Sequence, residues 1–263
     1  MDDLAYREGS YKTLPHRLPF LSRVLPSLIF YGKDLGIVFS ASRRAKRSRY
    51  DTAAWAGSSL AVLRALESVG VVIEITGIDH FRTLEGPCVF IANHMSTLET
   101  FVLPSLIAPI KDVTFVVKKS LVDYPVFRHV MRSRDPVTVG RTNPREDLKA
   151  VLEGGAERLN AGRSMIIFPQ TTRSTEFDPG GFNTIGVKLA KRADVPIIPV
   201  ALKTDAWGNG RFLKDFGRID PSRKVYFSFG EPLRVRDRGI EEHQMVIEFI
   251  TDRLGEWNRK KIC

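Results

Sequence analysis

The stretch Val89-Phe90-Ile91-Ala92-Asn93-His94-Met95-Ser96-Thr97-Leu98-Glu99 governs the reading of the chain. Its first four residues form a short, wholly apolar run, as expected of a strand buried on both faces. The run breaks on Asn93 and His94, and Ser96-Thr97-Leu98-Glu99 then has the S-x-x-E form that opens helices. A buried strand leading straight into a helix is the repeating unit of an α/β sheet, and such sheets place their sites at strand ends.

Outward from this stretch the same alternation recurs. Strand-length apolar runs stand at 71–76, 88–92, 113–117, 136–139, 165–168, 196–201 and 224–229, while helical periodicity fills 145–160, 184–192 and 241–259. The expected fold class is α/β, with a mixed sheet of about seven strands flanked by helices. Upstream, 50–69 carries Leu60, Leu63, Leu66 and Val69 at helical spacing. We draw one boundary near residue 70, between an N-terminal helical, membrane-associating segment (1–70) and an α/β domain (71–263).

Composition narrows the function classes. With 263 residues, 43% hydrophobic and 27% charged, the chain can bury a sizeable core and is not disordered. Cys88 and Cys263 offer neither a disulfide framework nor a spaced metal cluster, so no metal is expected. A net charge of +10 favours partners that carry phosphate: nucleic acid, anionic lipid or a phosphorylated substrate. The chain lacks a P-loop, a G-x-G-x-x-G after a strand, a G-x-S-x-G elbow and an H-E-x-x-H helix.

Membrane spans need about 18 or more uncharged apolar residues, and the chain contains no such run. Asp2, Asp3 and Glu8 stand where a signal peptide would be basic, so neither a cleaved signal nor a spanning helix is expected. Within 18–39, however, Leu21, Val24, Leu25, Leu28, Leu35 and Val38 recur at helical spacing, followed by Arg43, Arg44, Lys46, Arg47 and Arg49. This pattern fits an amphipathic helix in the headgroup layer of an anionic bilayer, and it equally fits a helix packed on the core before a solvated basic turn. On the first reading, removing residues 1–49 weakens membrane binding more than it damages the fold.

His94 and Glu99 are the candidate chemical pair. Residues five apart on one helix point about 140° away from each other, so the two can meet only if His94 lies in the loop and Glu99 in the first helical turn. The carboxylate then fixes the imidazole tautomer, leaving the other ring nitrogen to take a proton from a hydroxyl. The alternative is that Glu99 merely caps the helix. Replacing Glu99 by Gln separates the two, since an amide can cap but cannot balance an imidazolium. Arg141 and Arg173 each follow a strand, which puts two guanidinium forks at one sheet edge where they could grip a phosphate.

Taken in order, Asn93-His94 through Glu99, Lys118-Lys119-Ser120-Leu121, Gly140-Arg141, Ile167-Phe168-Pro169-Gln170-Thr171-Thr172-Arg173-Ser174 and Val195-Pro196-Ile197-Ile198-Pro199-Val200 resemble the motif blocks of the glycerolipid acyltransferases, the family that includes lysophosphatidic acid acyltransferase. The resemblance covers about residues 70 to 230. It implies transfer of an acyl group from acyl-CoA or acyl carrier protein to the hydroxyl of a lysophospholipid, above all 1-acyl-glycerol-3-phosphate, in phospholipid synthesis. It further implies His94 and Glu99 as the catalytic pair, and Arg141, Gln170, Thr171, Thr172 and Arg173 as substrate-binding residues. No cofactor beyond the acyl co-substrate is implied, and no nucleic acid partner. The setting implied is peripheral or monotopic, on the cytoplasmic face of a membrane.

The chain departs from the family pattern twice: Glu99 stands where the first block ends in Asp, and Gln170-Thr171 stands where the third reads Glu-Gly. The rival reading is a non-catalytic basic protein that binds phosphate, anionic lipid or nucleic acid; an acyltransferase with another acceptor is a third. Against nucleic acid, no aromatics interleave with the cations of 43–49.

Overall fold

The computed structural model describes residues 4–170, 172–210 and 214–259. A two-residue strand, β1 (Tyr11–Lys12), precedes α1 (Phe20–Val24) and α2 (Pro26–Lys46). The single helix expected over 18–39 is thus broken at Leu25-Pro26. Proline disfavours helical backbone in the residue before it, yet suits the first helical position itself. Arg43, Arg44 and Lys46 fall inside the last turn of α2, where cations complement the helix dipole, and not in a turn beyond it.

Next, α3 (Thr52–Glu67) starts beneath the Asp51 carboxylate, which accepts from the Ala54 N–H. The sheet domain continues with β2 (Ile73–Thr76), α4 (Asp79–Arg82), β3 (Val89–Ala92) and α5 (Leu98–Ile107). Then come β4 (Val113–Lys118), α6 (Lys119–Asp123), α7 (Arg128–Ser133) and β5 (Val137–Val139). The remainder is α8 (Pro144–Asn160), β6 (Ser164–Ile167), α9 (Ile185–Ala193), β7 (Ile197–Lys203), β8 (Val225–Phe229) and α10 (Ile240–Arg259).

Among the described residues these strands form one eight-stranded sheet in the order β1-β2-β8-β7-β3-β6-β4-β5. From β7 to β5 all neighbours are parallel, whereas β8 runs antiparallel to β7 and β1 antiparallel to β2. All seven expected strands are present. The eighth is β1, whose two residues are too few to show any periodicity. In the register, Ala92 faces Val200 and Ile91 faces Ile167, so the C-terminal ends of β7, β3 and β6 lie side by side.

Helices cover both faces of the sheet, which is why its central strands are apolar throughout. Phe90, Ile166 and Ile198 share one core with Phe30, Trp55, Leu63 and Leu103 of α2, α3 and α5. Val89, Ile91, Met165 and Ile197, on the alternate face, pack with Val151, Leu189 and Ile250 of α8, α9 and α10. The boundary near residue 70 therefore runs through a shared core.

Only part of α2 faces that core: Phe30, Asp34, Val38 and Ala41 are buried, while Leu28 (67%), Leu35 (44%) and Phe39 (60%) are exposed. Phe20, Leu21, Val24 and Leu25 are exposed as well. Val38 apart, the apolar stripe read from the sequence thus points outward. Because β1 and Phe30 belong to the sheet and core, removal of residues 1–49 would take parts of the fold with it, and point changes on the outer face are the cleaner probe.

Asp34 is a strained element of this layer. Burial pushes its carboxyl up from 3.8 to about 7, and its Oδ1 lacks a hydrogen-bond partner among the described residues. The folded state holds this proton more tightly than the unfolded chain, so its contribution to stability is lost as pH rises from about 3.8 towards about 7. Asp34→Asn should raise the thermal midpoint by about 2 °C or more near pH 8 and change it little near pH 4, measured by circular dichroism at both.

Candidate active site

The site begins one residue past β3. The Asn93 amide donates to the Leu202 carbonyl and accepts from the Leu202 N–H, both at 2.8 Å, so a side chain continues the ladder to β7 in place of a peptide group. This clip ends the strand and turns the main chain at His94. His94 lies in the loop and Glu99 in the first turn of α5, the arrangement that their spacing demands.

His94 Nδ1 sits 2.9 Å from Glu99 Oε1. The same oxygen accepts from the N–H groups of Met95 (2.6 Å) and Ser96 (2.8 Å), while Oε2 accepts from the hydroxyls of Ser96 (3.0 Å) and Thr204 (2.5 Å). Glu99 is fully buried, and burial pushes its carboxyl up; the bond and charge of His94, with the Thr204 hydroxyl and the Ser96 N–H, outweigh that and hold it below the ordinary carboxylate range. An ionised carboxylate only accepts, so in the neutral form of the imidazole the proton resides on Nδ1 and Nε2 carries the lone pair. Glu99 also reaches back to the Ser96 N–H as in a capping box, so capping and pairing with His94 are two uses of one side chain. The added methylene relative to Asp is absorbed by this loop.

The segment after β6 clamps His94 from both sides. Gln170 Oε1 accepts from the His94 N–H at 2.6 Å, and the Ser174 N–H donates to the His94 carbonyl at 2.9 Å. The Gln170 contact needs only an oxygen lone pair, which an amide supplies as well as an acid. The Phe168 ring stacks on the imidazole, with centroids 4.3 Å apart and planes 18° apart, and Phe115 lies behind it. Thr172 is exposed in this segment, and Thr171 lies outside the described residues.

The two arginines occupy the same sheet edge at different strands. Arg173 follows β6, beside β3; its guanidinium donates to the Thr97 hydroxyl in the His94 loop and pairs with Asp215 at 2.8 Å. Arg141 follows β5, two strands beyond β6, a lateral offset of roughly 10 Å. It is exposed at a positive φ of 60°, in a turn where the Asp147 carboxylate accepts from the N–H groups of Gly140 and Arg141. Sequence reasoning missed the parts played by Asn93, Thr97, Thr204 and Asp215. Thr204 lies 105 residues from Glu99, so no local signal could have disclosed it.

An acyltransferase family model matches residues 72–203. The chain belongs to the glycerolipid acyltransferase family. It is 30% identical over 155 residues to the 1-acyl-sn-glycerol-3-phosphate acyltransferase of Pseudomonas aeruginosa, covering 59% of this chain and 58% of that one. It is also 30% identical over 185 residues to the enzyme of that name from Limnanthes alba, covering 70% and 62%. These alignments span about three-fifths of either relative. The crystal structure of the 1-acyl-sn-glycerophosphate (LPA) acyltransferase PlsC from Thermotoga maritima shares the fold, with a TM-score of 0.67 at 19% identity over 90% of this chain and 97% of that one.

In this family member the geometry separates the two uses of Glu99. In Glu99→Gln, the amide oxygen keeps the three N–H donors, and the new NH2 can donate to the Ser96 and Thr204 hydroxyls, which rotate to accept. The expected outcome is a stability loss of about 1 kcal/mol in urea unfolding, with any acyl-transfer rate falling on the order of 100-fold. An unchanged rate would leave Glu99 as a cap alone.

Proposed function

We propose that the protein transfers an acyl group from an acyl thioester, on CoA or on acyl carrier protein, to the free hydroxyl of 1-acyl-glycerol-3-phosphate. The observation that carries this reading is the buried Glu99 carboxylate holding His94 Nδ1 at a parallel strand end, with Arg173 anchored in the same loop. The names of the relatives point the same way.

In this mechanism His94 Nε2 takes the acceptor's hydroxyl proton as its oxygen attacks the thioester carbonyl carbon. The imidazolium so formed is balanced by Glu99, which stays ionised. Collapse of the tetrahedral intermediate breaks the carbon–sulfur bond, and the departing thiolate takes the proton from His94, giving ester and free thiol. Arg173 holds the acceptor phosphate, with Arg141 further along the same edge. Gln170 keeps the His94 backbone in place, and Phe168 keeps its ring in plane.

Among the described residues no helix is long and apolar enough to cross a membrane. We assign the protein to the membrane surface, on the anionic cytoplasmic leaflet. Leu28, Leu35 and Phe39 enter the acyl boundary and the cations ending α2 meet lipid phosphates. The rival, a non-catalytic phosphate or nucleic-acid binder, has no use for a buried carboxylate aimed at an imidazole.

Thiol release from acyl-CoA in the presence of lysophosphatidic acid tests the reading directly. His94→Ala should lower turnover on the order of 100-fold or more while the circular dichroism spectrum shows the protein still folded. Near-normal turnover in the folded variant, or a salt-sensitive DNA shift without thiol release, would overturn it. For the membrane face, replacing Leu28 and Phe39 together by Glu should abolish flotation with anionic liposomes while leaving the circular dichroism spectrum unaltered; undiminished flotation would place the contact elsewhere.

A further inference from the structure

Among the described residues five donors converge on the Glu99 carboxylate, and four of them are local: His94 Nδ1, the Met95 and Ser96 N–H groups and the Ser96 hydroxyl all belong to the β3–α5 loop. The fifth, the Thr204 hydroxyl, comes from just past β7 and makes the shortest contact, 2.5 Å to Oε2. The two hydroxyls differ in what they can do. Ser96 Oγ lies 3.0 Å from Glu99 Oε2, 3.0 Å from the Thr204 carbonyl oxygen and 3.1 Å from Thr204 Oγ1, so its single proton has three destinations. It also accepts from the Leu98 N–H at 3.1 Å, as a residue near a helix start does. Thr204 Oγ1 stands at the distance of a hydroxyl bonded to an ionised oxygen, so its proton belongs to Oε2.

The place of this hydroxyl is fixed from both sides. Thr204 is wholly buried. Two residues before it, Leu202 is clipped to Asn93 through its N–H and its carbonyl, both at 2.8 Å. After it, the Thr204 carbonyl accepts from the Trp207 N–H at 3.2 Å, which closes the turn that leaves β7. The parallel pairing of β7 with β3 therefore carries the hydroxyl to the carboxylate.

We propose that Thr204 is a positioning residue for acyl transfer: its hydroxyl draws negative charge to Oε2, away from the oxygen that faces His94, and so keeps the imidazole from holding a proton too firmly to serve as a base. The inference rests on the reading of His94 as the base. Such a base must start neutral, take a proton and release it to the departing thiol. A carboxylate with fewer donors presents more of its charge to the ring and favours the protonated form, which cannot start the reaction. Burial pushes the Glu99 carboxyl up; the bond and charge of His94, then the Thr204 hydroxyl and the Ser96 N–H, hold it down, so Thr204 acts on the same ionised state that balances the imidazolium. Phe168 and Phe115, on the ring's stacked side, bring no charge. The remaining charges nearby are Arg173, bonded to the Thr97 hydroxyl, and its partner Asp215, and a change at Thr204 leaves that pair in place.

The test uses the full chain with saturating acyl-CoA and mixed micelles of lysophosphatidic acid, and follows kcat/KM for the acceptor from about pH 5 to about pH 9. Thr204→Val keeps the shape and loses the proton donor. It should move the acidic limb of the profile up by about 0.7 pH unit, a loss of about fivefold on that limb, while the value at high pH stays within about threefold of the parent. Thr204→Ser restores the donor and should return the limb to the parent position. Thr204→Ala should move the limb as Val does, and it takes the place of the Val variant if that one does not fold. The acceptor's own phosphate titrates near about pH 6 for parent and variants alike, so the difference between them is what is read. A limb that stays in place or moves down in the folded Val or Ala variant, or an equal displacement in Thr204→Ser, overturns the inference and leaves the function intact. His94→Ala separates the two levels: if it retains the parent turnover, the assignment of the base fails and the inference fails with it.

Discussion

The buried Glu99 carboxylate is the constraint around which this molecule is organised. Taking an ionised carboxylate out of water is expensive unless its lone pairs are satisfied, and an apolar isostere would pack there at lower cost. Here the donors come from the β3–α5 loop, from His94 and from Thr204 beyond β7. Meeting that demand brings two separate stretches of chain, the β3–α5 loop and the segment just after β7, together at one point. The converged geometry is also what defines the imidazole tautomer, so the burial of the charge and the chemistry of the histidine have the same cause.

The neighbouring contacts extend this fixed point outward. Asn93 locks β3 to β7, and the post-β6 segment holds His94 by both its N–H and its carbonyl, so the ring can move only with the sheet edge. Phe168 supplies a flat apolar wall on one face of the ring, which lowers the local polarity without competing for either nitrogen. On the far side, Ser27 and Tyr31 of α2 bond to the loop that carries Asp215. The helix with the outward apolar face is thus joined by direct hydrogen bonds to the loop that carries the partner of Arg173.

The fold was legible because its strands are apolar on both faces and its helices keep their period; β1 escaped because two residues carry no pattern. The His94–Glu99 contact followed from loop and helix geometry over five residues, and the structure has the spacing argument's arrangement. Whether the apolar stripe of 21–38 turned inward or outward could not be read locally, since a helix with two apolar sectors has the same periodicity whichever one meets the core. The structure put Phe30, Val38 and Ala41 inside and left Leu28, Leu35 and Phe39 outside.

Sequence by itself determined seven of the strands, the order of the motif blocks and the condition under which a histidine and a carboxylate could meet, because each depends on residues that are close along the chain. Tertiary structure alone decided that Thr204 completes the carboxylate's shell, that Arg141 stands two strands from Arg173's strand, and that Asp215 rather than solvent faces the guanidinium. Those partners are separated by tens of residues or more and are brought together only by strand order. Side-chain type constrains what a residue can bond to, but which groups come within reach is set by the crossover connections of the sheet, and no local pattern encodes them.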